Sequence, residues 1–143
     1  MARSSRLSSF LLARSTYLLT FGPGSSASLV GLPLTWYDVL LELNAAPERR
    51  LTMGQLGSVA AVSRTRVSRV VDELVRAGLV AREPNPADGR SAFAALTPAG
   101  RVTLRKAAPT YVAAVQREFA DHLTAREGEV LAGALRKVLA AGT

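Results

Sequence analysis

From residue 64 the chain takes on a helical rhythm: Val67, Val70, Val71 and Leu74 recur every three or four positions, with Thr65, Ser68, Arg69, Asp72 and Arg76 between them. At about 100° per residue the first set falls on one arc and the second on the opposite arc, which predicts a helix with one core face and one solvent face. Ser63 stands where an N-cap belongs, and Gly78 ends the run as a left-handed cap. Just upstream, Thr52-Met-Gly-Gln55 fits a capping box, in which the threonine oxygen takes one orphan amide and the glutamine returns to the cap residue's own amide. A short helix over about 53–60 follows from it, and Ala61-Val62-Ser63 makes a tight break between the two helices.

Beyond Gly78 the period shortens. Leu79 to Glu83 and Ser91 to Thr97 read as strands around PNPADGR, residues 84–90, whose prolines lack a backbone donor and whose Asp-Gly pair favours a turn. Helix, break, helix and hairpin in that order predict a winged helix-turn-helix. Thr97-Pro98 then opens a long helix over 98–121, interrupted at Pro109. Thr124-Ala-Arg-Glu127 is a second capping box before a terminal helix whose Val130, Leu131, Ala134, Leu135, Val138 and Leu139 form an apolar stripe. At the other end, Leu7, Phe10, Leu11, Tyr17, Leu18 and Phe21 form a similar stripe, broken by Arg14. Residues 22–33, GPGSSASLVGLP, read as a mobile connection, after which Thr35 caps a helix carrying Trp36, Leu40, Leu41 and Leu43, with Asp38 favouring its first turn.

The expected fold class is therefore mainly α with a small β-hairpin wing (α+β), in a single domain spanning 1–143. Its winged helix-turn-helix lobe covers 34–97, and helices over 1–21 and 98–143 form a dimerisation region. The stripes at the two ends need a cover that a small lobe does not supply. Pairing Leu7, Phe10, Leu11, Leu18, Leu131, Leu135, Val138 and Leu139 with the same residues of a second chain gives a closed homodimer. Packing of the same stripes within one chain is the alternative.

Charge changes the picture next. The 143 residues carry 18 basic and 11 acidic side chains, a formal +7, and sixteen of the basic ones are arginine, whose planar fork suits phosphates and base edges. Double-stranded DNA is the partner that this charge and a helix-turn-helix imply together. Ser63, Arg64, Thr65, Arg66, Ser68 and Arg69 occupy the first two turns of the second helix, where a helix in the major groove presents side chains to bases and flanking phosphates. An ordinary solvated helix face is the competing account of those residues.

The absence of cysteine excludes disulfides, thiolate catalysis and thiol redox sensing, and His122 alone gives no metal site of the usual kind. No cofactor is expected. Catalysis would have to be built from Ser63 or from Asp88 with Arg90, neither accompanied by a recognisable base and oxyanion donors, so no enzyme is expected. No stretch approaches the roughly 18 apolar residues of a membrane span. The serine- and arginine-rich start has the composition of a targeting peptide, but its broken apolar run reads better as an amphipathic helix.

With these elements in place, Asp88-Gly-Arg90, a gap of five, and Leu96-Thr97-Pro-Ala-Gly100 resemble the D-x-R-x5-L-T-x-x-G wing signature of MarR-type transcriptional regulators. Residues 51–82, LTMGQLGSVAAVSRTRVSRVVDELVRAGLVAR, resemble that family's helix-turn-helix from end to end. The resemblance implies a prokaryotic, cytoplasmic DNA-binding homodimer, a repressor in the commonest case, whose first and last helices interlock. It implies that Arg90 enters a minor groove, that Asp88 pairs with a nearby arginine to hold the tip, and that an aromatic or anionic small-molecule effector binds between the dimer helices and the DNA lobe, where Arg14, Tyr17 and Trp36 would lie. Position 89, often basic in relatives, is Gly89 here, which favours the turn and removes a phosphate contact. Two-fold symmetry further implies an inverted-repeat operator. A winged helix used only to bind another protein is the alternative function, argued against by the arginines of the second helix.

Overall fold

The computed structural model describes residues 28–29, 31–60 and 64–141. The elements are β1 (Ser28–Leu29), β2 (Leu32–Pro33), α1 (Leu34–Ala45), β3 (Arg50–Thr52), α2 (Met53–Val59), α3 (Arg64–Arg76), β4 (Val80–Pro84), β5 (Ala92–Leu96), α4 (Pro98–Glu118) and α5 (Ala125–Ala141), with single 3₁₀ turns at Pro47–Arg49 and Ala120–His122. This is the mainly helical fold with a small antiparallel wing that the sequence predicts. The expected N-terminal helix, with Leu7, Phe10, Leu11, Arg14, Tyr17 and Leu18, lies outside the described residues, as do the break at 61–63 and its cap Ser63.

Two local expectations change. Part of the connection over 22–33 is a two-strand ribbon, with Ser28 paired to Pro33 and Leu29 to Leu32, and the left-handed Gly31 (φ +76°) lies between the strands. Thr35 is not a cap: α1 starts one residue before it, after Pro33, and no side chain caps that end. Proline, with φ fixed near its own −57°, sets the chain for helix entry without needing a hydroxyl.

The other predicted caps among the described residues form as the sequence predicts. Thr52 Oγ1 accepts from Gln55 N at 3.2 Å while Thr52 N donates to Gln55 Oε1 at 2.9 Å, closing the box that starts α2. At the far end of α3, Leu79 N donates to Leu74 O (2.9 Å) and Gly78 N to Val75 O (3.0 Å), with Gly78 at φ +73°. This pair of bonds is a Schellman motif, which satisfies two orphan carbonyls and turns the chain into β4. Helix α3 is only 13 residues long, too short to be stable by propensity alone. Its packing supplies the remainder: Val67, Val70, Val71 and Leu74 are all buried, each worth about 1.5–3 kcal/mol relative to exposure. They meet Val39, Leu40 and Leu43 of α1, Leu56 of α2 and Val80 of β4 in the lobe's core.

The wing is part of a three-stranded sheet in the order β3-β5-β4, antiparallel throughout. Strand β3 was not expected, because three residues leading straight into a helix carry no period of their own. Beside this sheet, α4 starts in a crowded corner. Thr97 Oγ1 accepts from Gly100 N (3.0 Å) as an N-cap and donates to Gly78 O (2.7 Å), while Thr97 N donates to Leu79 O (3.1 Å). One residue thus fastens the start of α4 to the end of α3.

The chain divides into two compact units, one of them Ser26–Thr110, which is the lobe just described. The other contains Tyr111–Thr143, and α4 crosses the division. Pro109 lies inside α4. In the second unit Thr124 and Glu127 close the predicted capping box, Thr124 N donating to Glu127 Oε2 at 2.8 Å, a bond that holds the carboxyl below its ordinary pKa. On α5, Val130 is 65% exposed and Leu131 and Leu135 are half-buried, so part of the apolar stripe is uncovered in the single chain. No helix among the described residues is long and apolar enough to cross a membrane.

Candidate nucleic-acid interface

The core face of α3 fixes what its other face presents. Thr65, Arg66, Ser68, Arg69, Asp72 and Arg76 are all exposed, opposite the buried valine and leucine ridge. Arg64 is the first residue of the helix. Hydroxyls and guanidinium groups in the first two turns of an otherwise well-packed helix form a donor-rich surface of the kind that hydrogen-bonds to base edges and phosphates. Arg69 makes no ion pair among the described residues, so its fork is open to a ligand.

At the wing tip, residues 84–90 fold into two consecutive turns. Asp88 N donates to Asn85 O (3.2 Å), and Ser91 N donates to Asp88 O (3.0 Å). The side chains of Asn85 and Asp88 each accept an amide two residues on, from Ala87 N at 3.1 Å and from Arg90 N at 3.0 Å. Among the described residues Asp88 makes no ion pair with an arginine, in contrast to what the resemblance implies: its carboxylate holds the backbone of Arg90 itself. The short side chain reaches its own turn before it reaches any guanidinium, and the result is still a braced tip with Arg90 exposed at its end.

Gly89 also differs from expectation. Its φ is not positive, and a Cβ built there meets nothing within 4 Å, so the turn does not require glycine. Gly89→Lys should therefore fold normally and raise affinity for operator and random duplex alike by about three- to tenfold at moderate salt. The salt slope should steepen by about 2 for two wings. A variant with unchanged slope would place residue 89 away from the phosphates.

Two ion-pair clusters set the wing against the lobe. Arg82 Nη2 of β4 bonds Asp72 Oδ1 of α3 at 2.6 Å, linking wing to helix directly. On the opposite face of the sheet, Arg50 of β3 lies 4.7 Å from the centre of the Phe93 ring on β5 and reaches Glu83 of β4 at 3.3 Å, so that one side chain spans all three strands. Glu48 also pairs with Arg50. Glu48 and Arg49 hold left-handed backbone (φ 53° and 54°), an unfavourable conformation for both that places this turn ahead of β3. Bonded first by Glu83 and then by Glu48, the Arg50 guanidinium is held further above its ordinary pKa. Apart from Glu48–Arg50, two residues apart, these contacts have no local signature, since each joins residues brought together by the fold.

Trp36, expected at an effector cleft, is half-buried, and its indole Nε1 donates to Glu73 Oε2 on α3 at 2.9 Å. Its companions in that expectation, Arg14 and Tyr17, are outside the described residues. Leu131 and Leu135 stand together on α5, and Val138 and Leu139 continue the same helix.

A recognition helix with an exposed, donor-rich face, a braced wing carrying an arginine at its tip, and a clamp joining the two define a winged-helix DNA-binding regulator. The MarR family model matches residues 30–91. A MarR family transcriptional regulator from Streptomyces coelicolor, solved in complex with DNA, is 33% identical over 98% of this chain and 84% of its own, with a TM-score of 0.71. AbsC, a MarR family transcriptional regulator from the same organism, is 30% identical over 97% of this chain and 89% of its own, with a TM-score of 0.69. A mutant MarR from E. coli complexed with operator DNA is 26% identical, covers 95% of this chain and 88% of its own, and has a TM-score of 0.66. No curated protein sequence matches the chain. The chain belongs to the MarR family of transcriptional regulators and is not an enzyme.

Proposed function

We propose that the chain acts in the cytoplasm as a homodimeric repressor that binds an inverted-repeat operator. Each α3 would enter a major groove and each Arg90 a flanking minor groove. The observation that carries this reading is the open, arginine-bearing face of α3 beside a wing whose tip presents Arg90 with its backbone braced by Asp88. A narrow minor groove concentrates negative potential, so a lone arginine on a rigid tip gains most there. Ser63, Arg64, Thr65, Arg66, Ser68 and Arg69 are assigned to DNA on this reading, with Asp88 as the support for Arg90. The relatives solved with DNA from Streptomyces coelicolor and E. coli support it.

The second copy covers the apolar stripe of α5, where Val130 is largely exposed and Leu131 and Leu135 only half-covered. Leu7, Phe10, Leu11 and Leu18, with Val138 and Leu139, are assigned to the same interface. A small-molecule effector would act by population shift, binding the DNA-competent and incompetent spacings of the two recognition helices with different affinity.

Footprinting on the DNA upstream of the chain's own gene tests the reading. Two protected half-sites with centres about one helical turn apart, filled by two chains together, are expected. Protection of a single half-site by one chain, or none at all, contradicts it.

A further inference from the structure

Two neighbouring carboxylates on α3 are tied to different parts of the lobe. Glu73 accepts from the indole of Trp36 on α1 at 2.9 Å, across 37 residues of chain, and Asp72 is bonded by Arg82 of β4 at 2.6 Å. Taken around the helix axis with Asp72 at zero, Thr65, Arg76, Arg69 and Glu73 stand at about 20°, 40°, 60° and 100°. The arc holding Thr65 and Arg69 therefore lies between the two tied positions.

We propose that the Trp36–Glu73 hydrogen bond is a specificity-determining positioning contact, which fixes the roll of α3 about its own axis and so aims Arg69 at base edges. It acts on one side of the recognition arc while the Asp72–Arg82 pair acts on the other. The inference rests on the assignment of α3 as the helix that enters the groove.

The physical reason lies in what the core does not control. Val67, Val70, Val71 and Leu74 hold α3 in place and set which face points outward, but apolar attraction is non-directional and defines the roll less sharply than a hydrogen bond does. A hydrogen bond weakens steeply with misalignment and so resists it better. A guanidinium about 8 Å from the helix axis moves about 2 Å for a roll of about 15°, more than a bidentate base contact accepts. Flexible side chains on phosphates follow such a movement with little loss. Loosening the bond should therefore lower discrimination and spare sequence-independent binding. The contact also accounts for a glutamate on a helix that faces a polyanion, where a carboxylate without a bonding duty would only repel.

The test compares the affinity of the full-length protein for operator and for random duplex, at one salt concentration, in five forms: wild type, Trp36→Phe, Glu73→Ala, the double variant and Glu73→Gln. Trp36→Phe keeps a ring and removes the donor, and Glu73→Ala removes the acceptor. Each should cut the operator-to-random ratio about tenfold, with random-duplex affinity held or raised. The double variant should lose no more than either single one, because both remove the same bond. Glu73→Gln retains an amide oxygen as acceptor and should keep the ratio within about twofold of wild type.

An unchanged ratio in Trp36→Phe and Glu73→Ala overturns the proposal. Equal losses on both duplexes also overturn it, since they mark a contribution to folding alone, as does a double variant whose losses add. Failure of the wild type to bind either duplex overturns the DNA reading itself, and is distinguished from these outcomes by being independent of the substitutions.

Discussion

Replacing Gly100 with alanine is expected to destabilise the lobe by about 2–4 kcal/mol, lowering the melting temperature by roughly 10 °C. A Cβ at that position would stand 2.1 Å from the carbonyl oxygen of Leu79 and 2.7 Å from Leu96 Cδ1. The leucine side chain can turn away, but the carbonyl is backbone. It also accepts from Thr97 N at 3.1 Å, so it cannot retreat without breaking the link between α3 and α4. Alanine's better helix propensity returns about 1 kcal/mol at most, too little to offset the clash. Gly89→Ala is the control: with no neighbour to meet and no positive φ to hold, it should change stability by less than about 0.5 kcal/mol. Thermal or urea unfolding of the two variants measures the difference, and a Gly100→Ala protein as stable as wild type would contradict the close approach. The physical content of the LT-x-x-G motif is then plain. Threonine bonds the end of α3, and glycine lets α4 start against it.

Arg69→Ala and Arg90→Ala should both weaken DNA binding, but in different ways. On the proposed reading Arg69, in the second turn of α3, meets base edges, so its loss should cost about 1–3 kcal/mol on the operator and relax preference at particular base pairs. Arg90 sits at the wing tip, where a minor groove offers potential more than sequence. Its loss should lower affinity for operator and random duplex by similar factors and leave the base preferences in place. Asp88→Ala, which removes the acceptor for the Arg90 amide, should follow Arg90→Ala in kind and be smaller in size. Titration of each variant against the operator, its single-base variants and random duplex separates these roles. The same loss on every duplex for both arginines would contradict the division between helix and wing.

Much of the lobe was legible because its signals are local. The Thr52–Gln55 box, the left-handed Gly78 and the apolar ridge of α3 each depend on residues within a turn or two of one another, and each formed as the spacing predicts. Thr97 and Pro98 likewise marked the start of α4. What escaped depends on distant partners. Strand β3 exists because β5 offers it an open edge, with Leu51 opposite Ala94, and no pattern within Arg50–Thr52 announces that. Nothing in the sequence around Arg50 marks its place over Phe93 beside Glu83, which the fold alone provides. The bond from the Trp36 indole to Glu73, 37 residues along the chain, likewise has no local signature. Asp88 is a local exception: the family resemblance implies a guanidinium partner, whereas its carboxylate accepts from the Arg90 amide two residues on.

The central claim is that this chain binds duplex DNA as a dimer through arginines on two recognition helices and two wings. Its most direct test is the salt dependence of operator affinity. If Arg64, Arg66, Arg69 and Arg90 of two chains all face DNA, they would neutralise roughly six to eight phosphates or groove sites, and log K against log salt concentration should fall with a slope of about −5 to −7. A slope near zero would contradict the account.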